Sequence, residues 1–148
     1  MIDTFDSDRS GLMVRRNVRI IRVRGESMAP ALHEGDRVLA IRPGWWRRVR
    51  HGDIVVGHVP GEDRNWLFVK RVHALGGEVA RVPVDRLAEG APVWRLDGDH
   101  ATWPVPPGHV FVKGDAHSTA DSVSWGPIPL SELVGVVVRR LHSHSPAA

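Results

Sequence analysis

The 148-residue chain contains no cysteine, which removes disulfides, a thiolate nucleophile and cysteine-ligated zinc from consideration. Lysine is almost as scarce. Lys70 and Lys113 are the only two among twenty basic residues, the other eighteen being arginine. Arginine stays protonated inside proteins, so an amine acting as a base has to be one of these two lysines. No run approaches the roughly 18 consecutive apolar residues of a membrane-spanning helix. Met1 to Ser10 is acidic and polar rather than built like a signal peptide. No segment repeats over any length with the helical period. These absences predict a soluble, cytoplasmic protein without a transmembrane anchor.

What is present is a series of short apolar runs punctuated by turn residues. Met13 to Arg24 reads as a strand, with Val18, Ile20 and Val23 on a buried face and Arg15, Arg19 and Arg22 in water. Further strands are predicted over 36–42, 52–59, 66–73, 108–113 and 133–141, and short hairpins over about 79–107. Gly35-Asp36 and Gly52-Asp53 supply turn chemistry that sets strand register. The pattern predicts an all-β, mainly antiparallel fold closing on itself, one domain over 1–148 with a small β insertion at about 79–107. Residues 1–12 are expected to be frayed or loosely docked, and 142–148 to form a tail. The formal charge is only +3 although the pI is near 10.5. With abundant Ala, Gly and Val, the arginine bias is read as the mark of a GC-rich genome, and no nucleic-acid partner is expected.

Chemistry concentrates at a few places. Ser27 lies in Gly25-Glu26-Ser27-Met28-Ala29-Pro30, where an apolar strand hands over to a turn, a good position for a nucleophile that has a base nearby. Locally the same residues are also an ordinary Ser/Pro/Gly turn. Lys70 sits in Phe68-Val69-Lys70-Arg71-Val72, and apolar surroundings would favour its neutral, proton-accepting form. The alternative is a lysine that snorkels to water. Trp45-Trp46-Arg47-Arg48 reads either as a patch for a polyanion or membrane surface or as a cap on the core edge. His117 falls in the polar loop 114–124, and the nine histidines show no ligand spacing, so no metal and no cofactor are expected.

Taken in order, these segments resemble the type I signal peptidase family. Gly25 to Pro30 is similar to that family's nucleophile box, Gly35-Asp36-Arg37-Val38-Leu39 and Gly52-Asp53-Ile54-Val55-Val56 to the strands that follow. Phe68 to Glu78 looks like its lysine box, and Gly114 to Ile128 like its last box. The resemblance implies a closed β fold shared with LexA-type repressors, with Ser27 as nucleophile, Lys70 as general base and the Ser27 N–H as an oxyanion donor. Gly25 stands where many members carry a serine that supplies a second donor. Thr119 stands where a serine usually orients the lysine, close to Asp121, and Val123 replaces an arginine. Met28 and Pro30 are expected against substrate.

LexA-type repressors need a helical DNA-binding domain and a self-cleavage site ahead of the serine, which 26 residues cannot hold. Anchorless relatives of similar length and box order are the maturation proteases of nickel-type superoxide dismutase. The implied activity is serine endopeptidase action on a protein substrate, the N-terminal extension of the nickel superoxide dismutase precursor. Two alternatives stay open: signal peptidase-like processing of exported proteins through peripheral membrane contact, and a non-enzymatic β-barrel binding module.

Overall fold

The computed structural model describes residues 2–4, 17–45, 47–87, 89–116 and 120–142. Eleven strands carry the fold: β1 (Ile2–Thr4), β2 (Val18–Val23), β3 (Arg37–Ile41), β4 (Ile54–His58), β5 (Leu67–Leu75), β6 (Val79–Pro83), β7 (Arg95–Asp97), β8 (His100–Pro104), β9 (His109–Lys113), β10 (Ile128–Pro129) and β11 (Leu133–His142). One helical turn, α1 (Ser122–Trp125), lies between β9 and β10. The large sheet runs β1-β2-β3-β11-β4-β5-β9-β10, and an additional β1–β5 pairing closes its first part into a ring. Every pairing is antiparallel. The fold is all-β, as the apolar runs and turn residues predict.

Apolar side chains fill the ring. Ile21, Val38, Ala40, Val56 and Val69 form one cluster with Met28 and Leu32 from the turn after β2. Val55, Phe68, Val72, Val112 and Val136 form a second cluster beside it. Two glycines permit close approach of neighbouring strands. A Cβ at Gly57 would lie 2.6 Å from the Phe68 ring and one at Gly135 would lie 2.6 Å from the Ala40 Cβ. Beyond β5 the chain makes a separate three-stranded sheet, β6-β8-β7. Trp103 of that sheet packs on Phe111 of β9 with ring centroids 5.1 Å apart.

Residues 2–4, inside the stretch expected to be frayed or loosely docked, form β1, which pairs Ile2 with both Val23 and Leu67; residues 5–12 lie outside the described residues. Ladder hydrogen bonds belong to the backbone, so a strand of three residues needs no side-chain period to betray it. On β2 the deeply buried pair is Ile21 and Val23, whereas Val18 and Ile20 are only half-buried. Adjacent isoleucines make the inward face ambiguous, and a slip of one residue exchanges the faces.

The two Gly-Asp pairs serve as expected for turns, by one shared device. Each aspartate accepts from the backbone N–H three residues earlier: His33 N–H to Asp36 Oδ2 at 2.9 Å and Arg50 N–H to Asp53 Oδ2 at 2.8 Å. Among the described residues, no helix is long and apolar enough to cross a membrane.

Candidate active site

Ser27 lies in the loop joining β2 to β3, and that loop is pinned at both ends. Val23 N–H donates to Asp36 O and Gly35 N–H to Val23 O, both at 2.8 Å. Inside it, Ala29 N–H donates to Glu26 O at 3.0 Å and Leu32 N–H to Met28 O at 2.9 Å, which coils the chain around Ser27. Met28 anchors the coil in the core at 1 % exposure. Gly25 takes φ +75°, a left-handed conformation that β-carbon-bearing residues resist, so the reversal just before Ser27 needs glycine. On the solvent side, Glu26 Oε2 meets His33 Nδ1 at 2.9 Å and Glu26 Oε1 accepts from Glu34 N–H at 3.3 Å. A carboxylate thus clips the outer edge of the turn.

Lys70 is the fourth residue of β5, paired with Val55 of β4. Leu67, Phe68, Val69 and Lys70 are all buried, Lys70 to 5 % exposure. Burial favours the neutral amine and pulls the Lys70 pKa from 10.5 down to about 8. The Asp121 carboxylate works against that fall and the Lys113 ammonium works with it.

Ser27 and Lys70 line one cavity of about 570 Å³, together with Trp66, Phe68, Ala116 and Trp125 among others. Phe68 and Trp125 stack at a tilt, ring centroids 5.5 Å apart, and form an apolar wall beside the amine. The loop after β9 closes the other side. Ala116 N–H donates to Ser27 O at 3.0 Å, which ties this loop to the serine turn. Among the described residues, no group accepts from the Ser27 N–H, leaving it available to a ligand oxygen.

Asp121 organises the same loop from beneath. It is 2 % exposed and caps α1, with Oδ1 accepting from Val123 N–H at 2.9 Å and Oδ2 from Gly114 N–H at 3.2 Å. Ser122, wholly buried, accepts at Oγ from Val112 N–H at 2.9 Å and fastens the loop to β9. Arg71 adds a fork to Asp115, Nε to Oδ1 at 2.9 Å and Nη2 to Oδ2 at 2.7 Å.

The structure therefore brings Ser27, Lys70 and Gly25 to one cavity, with Asp121 behind the loop that bounds it. Met28 and Pro30 do not line it: Met28 points into the core and Pro30 is solvent-exposed. Met28 is the larger apolar side chain of the turn, so the core takes it. Thr119 and His117 lie outside the described residues, as does Trp46. Trp66 falls in a predicted strand and Ser122 and Trp125 in the stretch that resembles the last box, but nothing in the sequence marks them as the cavity's aromatic walls and the loop's fastening.

Chemically, this is a serine hydroxyl and an unusually acidic lysine in a partly apolar cleft, with an open backbone donor at the serine. Comparison with known proteins decides what lineage the arrangement comes from. The model of the family "Signal peptidase, peptidase S26" matches residues 12–89 and 86–141. The chain belongs to this family. It is 35 % identical over 120 residues to the mitochondrial ATP-independent inner membrane protease subunit 1b of Arabidopsis thaliana, covering 79 % of this chain and 66 % of that protein. It is 32 % identical over 132 residues to thylakoidal processing peptidase 1 of the same plant, covering 77 % and 39 %. With signal peptidase I of Bacillus licheniformis it shares 31 % identity over 112 residues, covering 63 % and 59 %. The chain thus spans less than two thirds of the length of these S26 relatives.

Proposed function

We propose that this S26 protein is a serine endopeptidase in which Ser27 is the nucleophile and Lys70 the general base. The observation that carries the proposal is the shared cavity: Ser27 and Lys70 line it together, and burial holds the Lys70 amine near a pKa of about 8. At pH 7 roughly one molecule in ten then carries a free amine, against fewer than about one in a thousand for an ordinary lysine. Neutral Lys70 Nζ takes the Ser27 proton as Oγ attacks the scissile carbonyl carbon. The Ser27 N–H donates to the oxyanion that forms. The resulting ammonium returns the proton to the departing amine, leaving an ester on Ser27. Water then attacks that ester, with Lys70 again taking the proton, and the acid product and free serine are released. Gly25 brings no hydroxyl to the oxyanion, so the backbone carries that task here.

The substrate in this reading is the N-terminal extension of a soluble precursor, that of nickel superoxide dismutase, cut in the cytoplasm. Its support is the box order shared with the maturation proteases that the chain resembles. The experiment is incubation of the purified protein with that precursor, looking for a cut that exposes an N-terminal histidine. Wild type should cut, and Ser27→Ala and Lys70→Ala should not. Retained cutting by either variant defeats the dyad.

A second substrate reading is favoured by the tryptophans. Trp66, at the cavity, is 44 % exposed and Trp45 is 56 % exposed. Indole rings with one wet edge suit a headgroup layer, and processing of exported proteins at a membrane surface would use them. Cleavage of a signal-peptide-bearing precursor, with the dismutase precursor left intact, would select this reading. Within the patch that the binding-module alternative would use, the Arg47 guanidinium is engaged by Asp53 through two bonds of 2.8 and 2.9 Å.

A further inference from the structure

The S26 resemblance leaves one charge unaccounted for. The position two residues after Asp121, where that family carries an arginine, is Val123 here, and Val123 is 7 % exposed in the apolar cluster under the small sheet. Asp121 is nevertheless an almost fully buried carboxylate, and a buried anion needs a cation or several donors. The structure supplies the cation from another element. Lys113, at the end of β9, places Nζ 3.6 Å from Asp121 Oδ2.

Lys113 reaches Asp121 from outside the catalytic cleft. Lys113 and Asp121 both line a separate cavity of about 440 Å³, with His73 and Asp115, and Lys70 has no part in it. Asp121 therefore pairs with the Lys113 amine in one cavity and acts electrostatically on the Lys70 amine of the other. We infer that Lys113 is a positioning residue of the site: its ammonium balances the Asp121 carboxylate in place of the cation missing at Val123, and so prevents Asp121 from holding Lys70 in the charged form. This inference rests on the Ser27/Lys70 reading for its catalytic meaning, although its electrostatic content stands without it.

The charges around Lys70 are few enough to assign. β4 presents Val55 to it. The serine turn brings Arg24 and Glu26 to the cavity, Glu26 being engaged by His33. From β9 and its loop come Lys113, Asp121 and Asp115, the last forked to Arg71. Of these, Asp121 and Lys113 act on the Lys70 charge, in opposite directions. Removing Lys113 takes away a repulsion and unshields an attraction at once. Both changes favour protonated Lys70.

The chain's two lysines make the test direct. In protein carrying 13C at the lysine ε-carbon, each lysine gives one NMR signal, and Lys113→Met and Lys113→Arg each leave Lys70 alone. Lys70 should titrate near 8 in wild type, rise by about half a pH unit or more in Lys113→Met, and stay at the wild-type value in Lys113→Arg. Asp121→Asn should move it down, and this variant carries the test if Lys113→Met does not fold. The acidic limb of the cleavage profile should follow, with Lys113→Met losing roughly threefold at pH 7 and converging on wild type at high pH.

An unchanged Lys70 titration in Lys113→Met or Asp121→Asn overturns the inference. So does a Lys113→Arg shift as large as that of Lys113→Met, or a loss of rate that is uniform across pH. If Lys70→Met still cleaves, the dyad reading fails; if it is inactive while Lys113→Met titrates like wild type, only the Lys113 assignment fails.

Discussion

Lys70 and Lys113 stand on neighbouring strands, β5 and β9, and both feel Asp121, yet they occupy opposite kinds of surroundings. Lys70 is walled by Phe68, Val69 and Trp125 and has little water. The Lys113 side chain is 24 % exposed and has a carboxylate oxygen at 3.6 Å. One site withholds what an ammonium needs and the other provides it. The difference teaches that a neutral amine is favoured here by subtraction, by leaving Lys70 dry, whereas its neighbour is given a carboxylate partner.

The largest expected effect breaks this comparison at Lys70 itself. Lys70→Met should lower the cleavage rate by about 10³-fold or more, and Lys70→Arg by as much, since arginine cannot be neutral. Measurable turnover by Lys70→Arg would show that dryness of the amine is not what the site uses. The same Lys70→Met variant should be more stable than wild type. The sign follows from the lowered pKa: the unfolded chain binds a proton more readily than the folded one between about pH 8 and 10.5, so wild-type stability rises with pH through that window. Below pH 8 the folded state carries the full penalty of a buried charge, on the order of 2–3 kcal/mol, and Met removes it. Thermal melts of the pair at pH 7 and at pH 11 check this, the gap narrowing at the higher pH.

A subtler break opens the wall. A Cβ at Gly57 would press on Phe68, so Gly57→Ala should cost about 1–3 kcal/mol of stability and, by shifting the ring, wet Lys70 and move its acidic limb to higher pH. Denaturant titration and a pH–rate profile read both effects. Smaller again is Arg71→Ala, which releases a half-exposed fork from Asp115. It should cost about 1 kcal/mol and leave the limb in place, because neither partner acts on the Lys70 charge. Smallest is Trp94→Ser in the bend just before β7, 72 % exposed, where stability should stay within about 0.5 kcal/mol and cleavage should be unchanged.

The barrel strands were legible because Val, Ile and Leu recur between Gly, Asp and Pro at strand lengths. The nine-residue β5 could be read from Trp66 to His73 for that reason, and its single lysine stood out among apolar neighbours. What could not be read is tertiary. No periodicity says that Trp125, from one helical turn, meets Phe68, or that the backbone of Ala116 bonds that of Ser27. Met28 is expected at the substrate under the family resemblance. A coil of 2.9–3.0 Å bonds instead turns it into the core. The contact of Lys113 with Asp121 spans a loop whose fold depends on Ser122 and the cap of α1; the box that these residues resemble names them without showing which groups they bond.

One feature of the ring bears on when the cleft is assembled. β11 lies between β3 and β4, pairing Val136 with Ile41 on one side and with Val55 on the other. A ribosome that has released residues up to β9 has therefore made Ser27, Lys70 and the strand β1 that pairs with both β2 and β5, but the strand that closes the ring on its other side, between β3 and β4, is still to come. The loop that bonds Ser27 also waits for Asp121 and Ser122. Pairings between segments so distant in the chain form late. During synthesis, then, the nascent chain holds the parts of the cleft with only one side of its frame, and on the Ser27/Lys70 proposal full cutting activity waits until the last strand slots in.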